Sequence, residues 1–483
     1  MGVLHFRAPR SPAKVVPMAS QLKNAFCYTR PVTCILAFRG RWFPMRQVSS
    51  LALLLFLITM VPRTAHPQTA GNTQTPSTAP IAPLTPTTGY TLPPDKLRTA
   101  TALYRLRGKV RVIGAVYAPM VLLAILFFGV ATRYRDWAEK AATNRVVQAL
   151  IFVPLLMLTM GALELPLDAW QQSISLRYGL SVQRWGSWFG DVLKSEAISL
   201  VIAIFAIWGL GNLIRRSPRR WWFYFWLMAM PVLVFFIFLA PIAIDPLFND
   251  FEPLDKSNPQ LVDDLEKVTQ RGGLTIPRDR VFLMKASAKV TTLNAYVTGF
   301  GPSKRVVVWD TTIQKAGTPE TLFVYGHEMG HYVLNHIAIG IAALAVGLFF
   351  GFYLLYVLSV WAFSRFERRW HMRDLSDWAA VPMLILIFSI LSDISQPIGS
   401  TFSRQLEHNA DVYGLEVTHG INANSQEAGA HGFQVLGELG LDYPYPSRLE
   451  VFWYYDHPPI AERVRFAHEY DPWSQGGQPK YVK

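Results

Sequence analysis

Cysteine and charge are what this sequence has least of. Only two cysteines occur in 483 residues, Cys27 and Cys34, both near the start. A disulfide framework for the body of the chain is excluded, and so is a cysteine-rich zinc site. Any metal here must be held by histidines and carboxylates. Charged residues make up 16% of the chain and hydrophobic residues 51%, whereas a soluble domain is about 25% charged. That balance excludes both an all-soluble chain and a wholly disordered one. Acid is missing altogether from Met1 to Pro94, a stretch that holds nine Lys and Arg. Without that leader the formal charge falls from +13 to +4, with 37 basic against 33 acidic residues. The body therefore lacks the basic face of a nucleic-acid-binding domain, and no nucleic-acid partner is expected.

What the chain has instead is long apolar runs. A spanning helix needs about 20 apolar residues. Val112–Thr132 is uncharged for 21 residues, Val146–Leu163 for 18, Ala197–Ile214 for 18, Trp221–Ile244 for 24 and Ile337–Phe363 for 27. Trp378–Ser392 runs for 15 before it meets Asp393. These six runs predict a multi-pass integral membrane protein, of a bacterial inner membrane or a plasma membrane, with the lipid bilayer as a partner. Upstream, Ser49–Val61 is a 13-residue apolar run after Arg39, Arg41 and Arg46. Its length suits a signal-peptide core or an uncleaved anchor, and Met45 is an alternative start. The Pro- and Thr-rich stretch that follows predicts a disordered linker. Twelve Lys and Arg flank the first, third and fifth spans on one side, against nine on the other. That bias puts residues 245–336 and 398–483 on the outer face.

His327-Glu328-Met329-Gly330-His331 is an H-E-x-x-H motif. On a helix, positions four apart share a face, so both imidazoles can bind one metal. Glu328, one residue on, points beside it at a bound water. Zn²⁺ with three protein ligands keeps a fourth position for water and lowers its pKa to about 7. Glu328 can then take the proton and pass it to the leaving amine. Glu407 is the best third ligand. Asp411, four residues on and on the same helical face, can orient a ligand imidazole from behind. His408 is the rival ligand, but it points about 100° away from Glu407. His336 reads as structural. Glu164, Asp168 and Asp393 lie at or inside span ends, where they either line a water-filled chamber or pair with loop arginines. His331 lies six residues before Ile337, about 9 Å along a helix. Glu407 follows the sixth span closely, so both ligand helices are expected to grow out of membrane helices. A site at the membrane surface suits membrane-embedded or lipidated peptide substrates.

Further motifs run in order from about Tyr90 to Arg463: Leu176-Arg177-Tyr178-Gly179-Leu180, Pro246-Leu247-Phe248-Asn249, Asn294-Ala295-Tyr296 with Gly299-Phe300-Gly301, and Lys304 to Thr311. After Gly326 to His336 come Ser403-Arg404-x-x-Glu407-x-x-Ala410-Asp411, His457-Pro458 and Glu462-Arg463. In these the chain resembles the type I CAAX prenyl protease family of integral-membrane zinc metallopeptidases, related to the HtpX-type quality-control proteases. The resemblance implies one zinc on His327, His331 and Glu407, with Glu328 as general base. It implies that Asn294, Ala295 and Tyr296 form an edge strand pairing with the substrate backbone. It implies that His457 donates to the oxyanion, and that Arg463 helps bind substrate or supports the site. It also implies a cytosolic zinc domain, seven spans and a large intramembrane chamber, opposite in side to the loop charges. One departure is Thr292, which stands where eukaryotic members carry a histidine.

The expected fold class is mainly α, a multi-pass transmembrane helical bundle with a zincin-like α+β metallopeptidase domain at the membrane surface. The chain divides into a basic leader with signal peptide or anchor (1–62), a linker (63–95) and a four-span region (96–250). Then come the first part of the peptidase domain (251–336), a two-span hairpin (337–397), the second part (398–475) and a tail (476–483). The expected activity is zinc-dependent hydrolysis of membrane-associated or prenylated polypeptides. The alternatives are quality control of membrane proteins, or a transporter with a structural zinc site.

Overall fold

The computed structural model describes residues 89–298, 304–474 and 476–482. The leader, its apolar run and most of the linker lie outside these residues, as does the Gly299-Phe300-Gly301 motif. Among the described residues, six helices are long and apolar enough to cross a membrane. They are α1 (Pro94–Phe127), α3 (Arg145–Arg177), α4 (Trp185–Arg216), α5 (Trp221–Leu239, prolonged to Phe248), α8 (His336–Phe366) and α9 (Val381–Thr418). Their outer faces are apolar and exposed, with Leu158 at 69%, Leu193 at 72% and Ile398 at 75%. That is the pattern of helices solvated by lipid.

Two of the apolar runs end elsewhere than predicted. The first stops at Phe127, because Gly129 takes a left-handed conformation (φ 65°) and opens α2 (Val130–Ala141). There Arg135 is buried against Asp377, Nη1 to Oδ2 at 2.9 Å. One of the charges that biased the loop count is thus spent inside the protein. The last run does not stop at Asp393. The helix carries that buried carboxylate through and continues to Thr418. A charge ends an apolar run, but it removes no backbone hydrogen bond and so does not end a helix. Beyond Leu239 the line of α5 is interrupted at Pro241. Proline has no N–H to give, and the backbone widens there into a π-turn over Ala240–Ile244.

The polar part holds a four-stranded sheet in the order β1-β2-β4-β3. Its strands are β1 (Phe251–Pro253), β2 (Val281–Met284), β3 (Ala295–Thr298) and β4 (Arg305–Trp309). β2 and β4 run parallel, and β1 and β3 pair antiparallel at the two edges. Alternation sorts the side chains between two faces. Val281, Leu283, Val306 and Val308 join Leu261, Leu265 and Val268 of α6 (Pro259–Arg271) and Tyr325 and Met329 of α7 (Thr318–Val333). Met284, Val307 and Trp309 fill the other face with Phe282 and Tyr296. Three helices of this part lie near the site or its support: α10 (Ser425–Gly440), α11 (Arg448–Tyr454) and α12 (Ile460–Glu469).

The predicted tail is built into the fold. Glu416 of α9 is fully buried. Its carboxylate accepts the backbone N–H of Lys480 (2.5 Å), Tyr481 (2.6 Å) and Val482 (2.9 Å), and the hydroxyl of Tyr470. Several N–H donors are what a buried carboxylate without a cation requires.

Candidate metal centre

α7 and α9 pack face to face because glycines remove the side chains between them. A β-carbon on Gly414 would come within 3.0 Å of the His327 backbone nitrogen, and one on Gly326 within 2.8 Å of Val417. Close backbone approach is the use of glycine at such positions. It brings His327 and His331 of α7 opposite Glu407 of α9.

The three side chains converge. His327 Nε2 and His331 Nε2 lie 3.2 Å apart. Glu407 Oε2 is 3.3 Å from His327 Nε2, and Oε1 is 3.4 Å from His331 Nε2. Ligands held about 2.0–2.1 Å from a tetrahedral zinc sit about 3.3–3.4 Å from one another. Glu407 Oε2 is buried and receives no hydrogen bond. Two imidazoles and an unsatisfied carboxylate with this spacing are a donor set for a zinc-like ion. Among the described residues, no other group of three such side chains converges this way.

Asp411 stands directly behind His327, with Oδ1 2.8 Å from Nδ1. The approach is close, though it lacks the straight N–H···O line of a full hydrogen bond. Arg463 of α12 grips the same carboxylate with both arms, Nε to Oδ2 at 2.9 Å and Nη2 to Oδ1 at 2.6 Å. It also lies over the Phe433 ring at 4.2 Å. Arg463 is 5% exposed. Burial works against a charged His327, but Asp411 and Glu407 outweigh it and hold its pKa up to about 10.

Glu328 neighbours the triangle. Burial raises its pKa, against the opposing pull of His327, His331 and His457. His457, in the loop between α11 and α12, brings Nε2 to 3.2 Å from Glu407 Oε2 and is 38% exposed. Its Nδ1 faces Asp456 Oδ1 at 3.0 Å. Burial disfavours its charged form, but Glu407 and Asp456 together raise its pKa. Its loop is held by α9, where Arg404 Nη1 donates to the carbonyls of Val451 (2.9 Å) and Tyr455 (2.5 Å). Of the three residues expected to pair with the substrate backbone, Ala295 and Tyr296 are in strand β3 and Asn294 leads into it. Asn294 precedes the strand, with its backbone paired to Thr312 and Trp309. Ala295 is buried, and Tyr296 donates to Asp245 at 3.4 Å. β3 packs against α7 and is an edge strand of the sheet. His408 is turned away, edge-on to Phe466 with centroids 4.5 Å apart.

Three contributors are not evident from the motifs: Arg404 as the holder of the His457 loop, Asp456 behind His457, and His336, whose Nδ1 is 3.0 Å from His331 Nδ1. The helix that carries His327 and His331 was expected to grow out of a membrane helix, but it stops at Val333. α7 and α8 are separate helices, joined at Asn335 in a left-handed conformation (φ 57°). Only the Glu407 helix runs on unbroken from a membrane span.

Comparison with known proteins agrees with this geometry. A family model described as the CAAX prenyl protease N-terminal region with five membrane helices matches residues 85–250. In this chain that stretch holds four of the six long apolar helices. The model for peptidase family M48 matches residues 255–471. Neither reaches the leader, and nothing supports a signal peptide there. The "Uncharacterized metalloprotease YhfN" of Bacillus subtilis is 35% identical over 376 residues, covering 78% of this chain and 86% of its own length. "CAAX prenyl protease 1" of Saccharomyces cerevisiae is 26% identical over 340 residues, covering 66% and 72%. The crystal structure of S. mikatae Ste24p shares the fold, with a TM-score of 0.66 at 23% identity over 78% of this chain and 89% of that one. The chain belongs to peptidase family M48 and is a multi-pass integral membrane metallopeptidase.

Proposed function

We propose that the protein is a zinc endopeptidase that cuts membrane-associated polypeptides, with prenylated CAAX-type termini as its preferred substrates. One observation carries the hydrolytic part: the His327, His331 and Glu407 triangle at tetrahedral spacing with Glu328 beside it. Zinc on these three residues supplies Lewis acidity, lowering the pKa of a water to about 7 and polarising the scissile carbonyl. Glu328 takes the proton from the attacking water and returns it to the leaving amine. Its raised pKa suits it to hold that proton between the two steps. His457 is directed by Asp456 and keeps Nε2 toward the site, where it donates to the developing oxyanion. β3 pairs with the extended substrate backbone along its free edge. Arg463, saturated by Asp411, supports the His327 side of the site rather than touching substrate.

The lipidated class is supported by the emergence of the Glu407 helix from a membrane span and by relatives named as CAAX prenyl proteases. Quality control of membrane proteins is the second reading. It is favoured by Thr292 in place of the eukaryotic histidine. The test is zinc content and hydrolysis by the purified wild type beside Glu328→Ala, with a farnesylated CAAX peptide, its unprenylated twin and casein. The expected result is about one zinc per chain in both proteins. Hydrolysis should fall at least 10²- to 10⁴-fold in the variant, and the farnesylated peptide should be cut fastest. Equal rates on casein would move the assignment to quality control. Absence of zinc from the wild type would overturn the enzyme mechanism.

A further inference from the structure

We infer that His336 is the positioning residue for His331, and that the break between α7 and α8 serves to place it there. The inference rests on the reading of His327, His331 and Glu407 as metal ligands. An imidazole that offers one ring nitrogen to a metal keeps its proton on the other, and that N–H needs an acceptor. For His327 the group facing that nitrogen is Asp411, with Oδ1 at 2.8 Å. His331 turns Nε2 toward His327 and Glu407, so its proton sits on Nδ1. The group facing that nitrogen is His336 Nδ1, at 3.0 Å. The two rings meet at 73° with centroids 5.0 Å apart. His331 therefore donates and His336 accepts, which fixes His336 as the neutral tautomer carrying its proton on Nε2. His336 itself is buried, at 6% exposure.

The backbone explains why this pair is possible. In an unbroken helix a residue five positions on lies about 140° around the axis, out of reach. Here α7 ends at Val333, Asn335 takes φ 57° and ψ 29°, and α8 starts at His336. The turn stays hydrogen-bonded, with Asn335 N–H donating to the Tyr332 carbonyl (3.2 Å) and Ile339 N–H to the Asn335 carbonyl (3.0 Å). Asparagine is among the residues that tolerate this conformation best. The two ligand histidines thus have unlike supports. One is backed by a carboxylate neutralised by an arginine, the other by an uncharged ring.

The test uses the full chain purified in detergent and measures zinc affinity by competition with a chromogenic chelator. His336→Met keeps the bulk and removes the acceptor. Its zinc affinity is expected to fall about 10- to 100-fold. His336→Gln restores an acceptor oxygen and is expected to stay within about threefold of wild type. The melting temperature of the metal-free protein is the control, since a purely structural role would lower it in both variants and weaken zinc in both. Wild-type affinity in His336→Met overturns the inference. So does a folded His336→Gln that binds zinc tenfold or more weakly, a result that decides the matter even if the Met variant fails to fold. A wild type that binds no zinc overturns the metal reading and this inference with it. One tight zinc in wild type and His336→Met alike overturns this inference alone.

Discussion

The two helices that supply the ligands reach the site by different routes. α9 runs unbroken for 38 residues from within the membrane region to Thr418, about 57 Å of continuous helix. α7 is short, and a left-handed residue parts it from the span that follows. A continuous helix can deliver side chains only at multiples of about 100°, which suits Glu407 and Asp411 at four residues' separation. It cannot fold a residue back onto its own face five positions later. The comparison teaches that regular helix is enough to present a ligand and its neighbour's support together. A support drawn from the ligand's own chain needs an irregularity.

Substitutions can break that contrast in order of effect. Glu407→Ala removes the single ligand contributed by the unbroken helix. Metal content measured by mass spectrometry should fall from about one per chain to background, and hydrolysis with it. Asp411→Ala leaves Arg463 buried with its main partner gone. Breaking a buried ion pair this way costs about 3–5 kcal/mol, to be read from the denaturation midpoint, and zinc affinity should fall as well. Asp411→Asn should lose less stability than Ala. Arg404→Ala spares the ligands but frees the Val451 and Tyr455 carbonyls that hold the His457 loop. Steady-state kinetics should show kcat down about 10-fold or more, short of the 10²- to 10³-fold cost of deleting an oxyanion donor, with zinc affinity unchanged. The smallest effect falls on the irregular helix. Asn335→Gly should be nearly neutral, whereas Asn335→Val should lose about 1–2 kcal/mol. Thermal unfolding of the two variants measures the strain the turn carries.

Much of this was legible in the residues. The apolar runs locate all six long helices, because lipid-facing and buried positions alike demand hydrocarbon. H-E-x-x-H and the Glu407 and Asp411 pair are local signals at helical spacing, and the fold brings them together. The edge position of β3 was expected from the family resemblance. Other features depend on partners far away in the chain. Arg404 reaches carbonyls 47 and 51 residues on, and backbone acceptors leave no mark in a sequence. Asp393 reads as a span's end only if apolar length and helix length are taken as one quantity. His336 reads as structural without a stated partner, because spacing rules assume that the helix continues and one asparagine is a faint sign that it does not.

The strap over Glu416 has a practical meaning. Three amides of residues 480–482 stand in for the cation that a buried carboxylate would otherwise want, on the helix that carries the metal ligand. Glu416 is nine residues, two and a half turns, from Glu407. Anything that pulls residues 480–482 away therefore strips a buried carboxylate of its donors on the helix that carries Glu407.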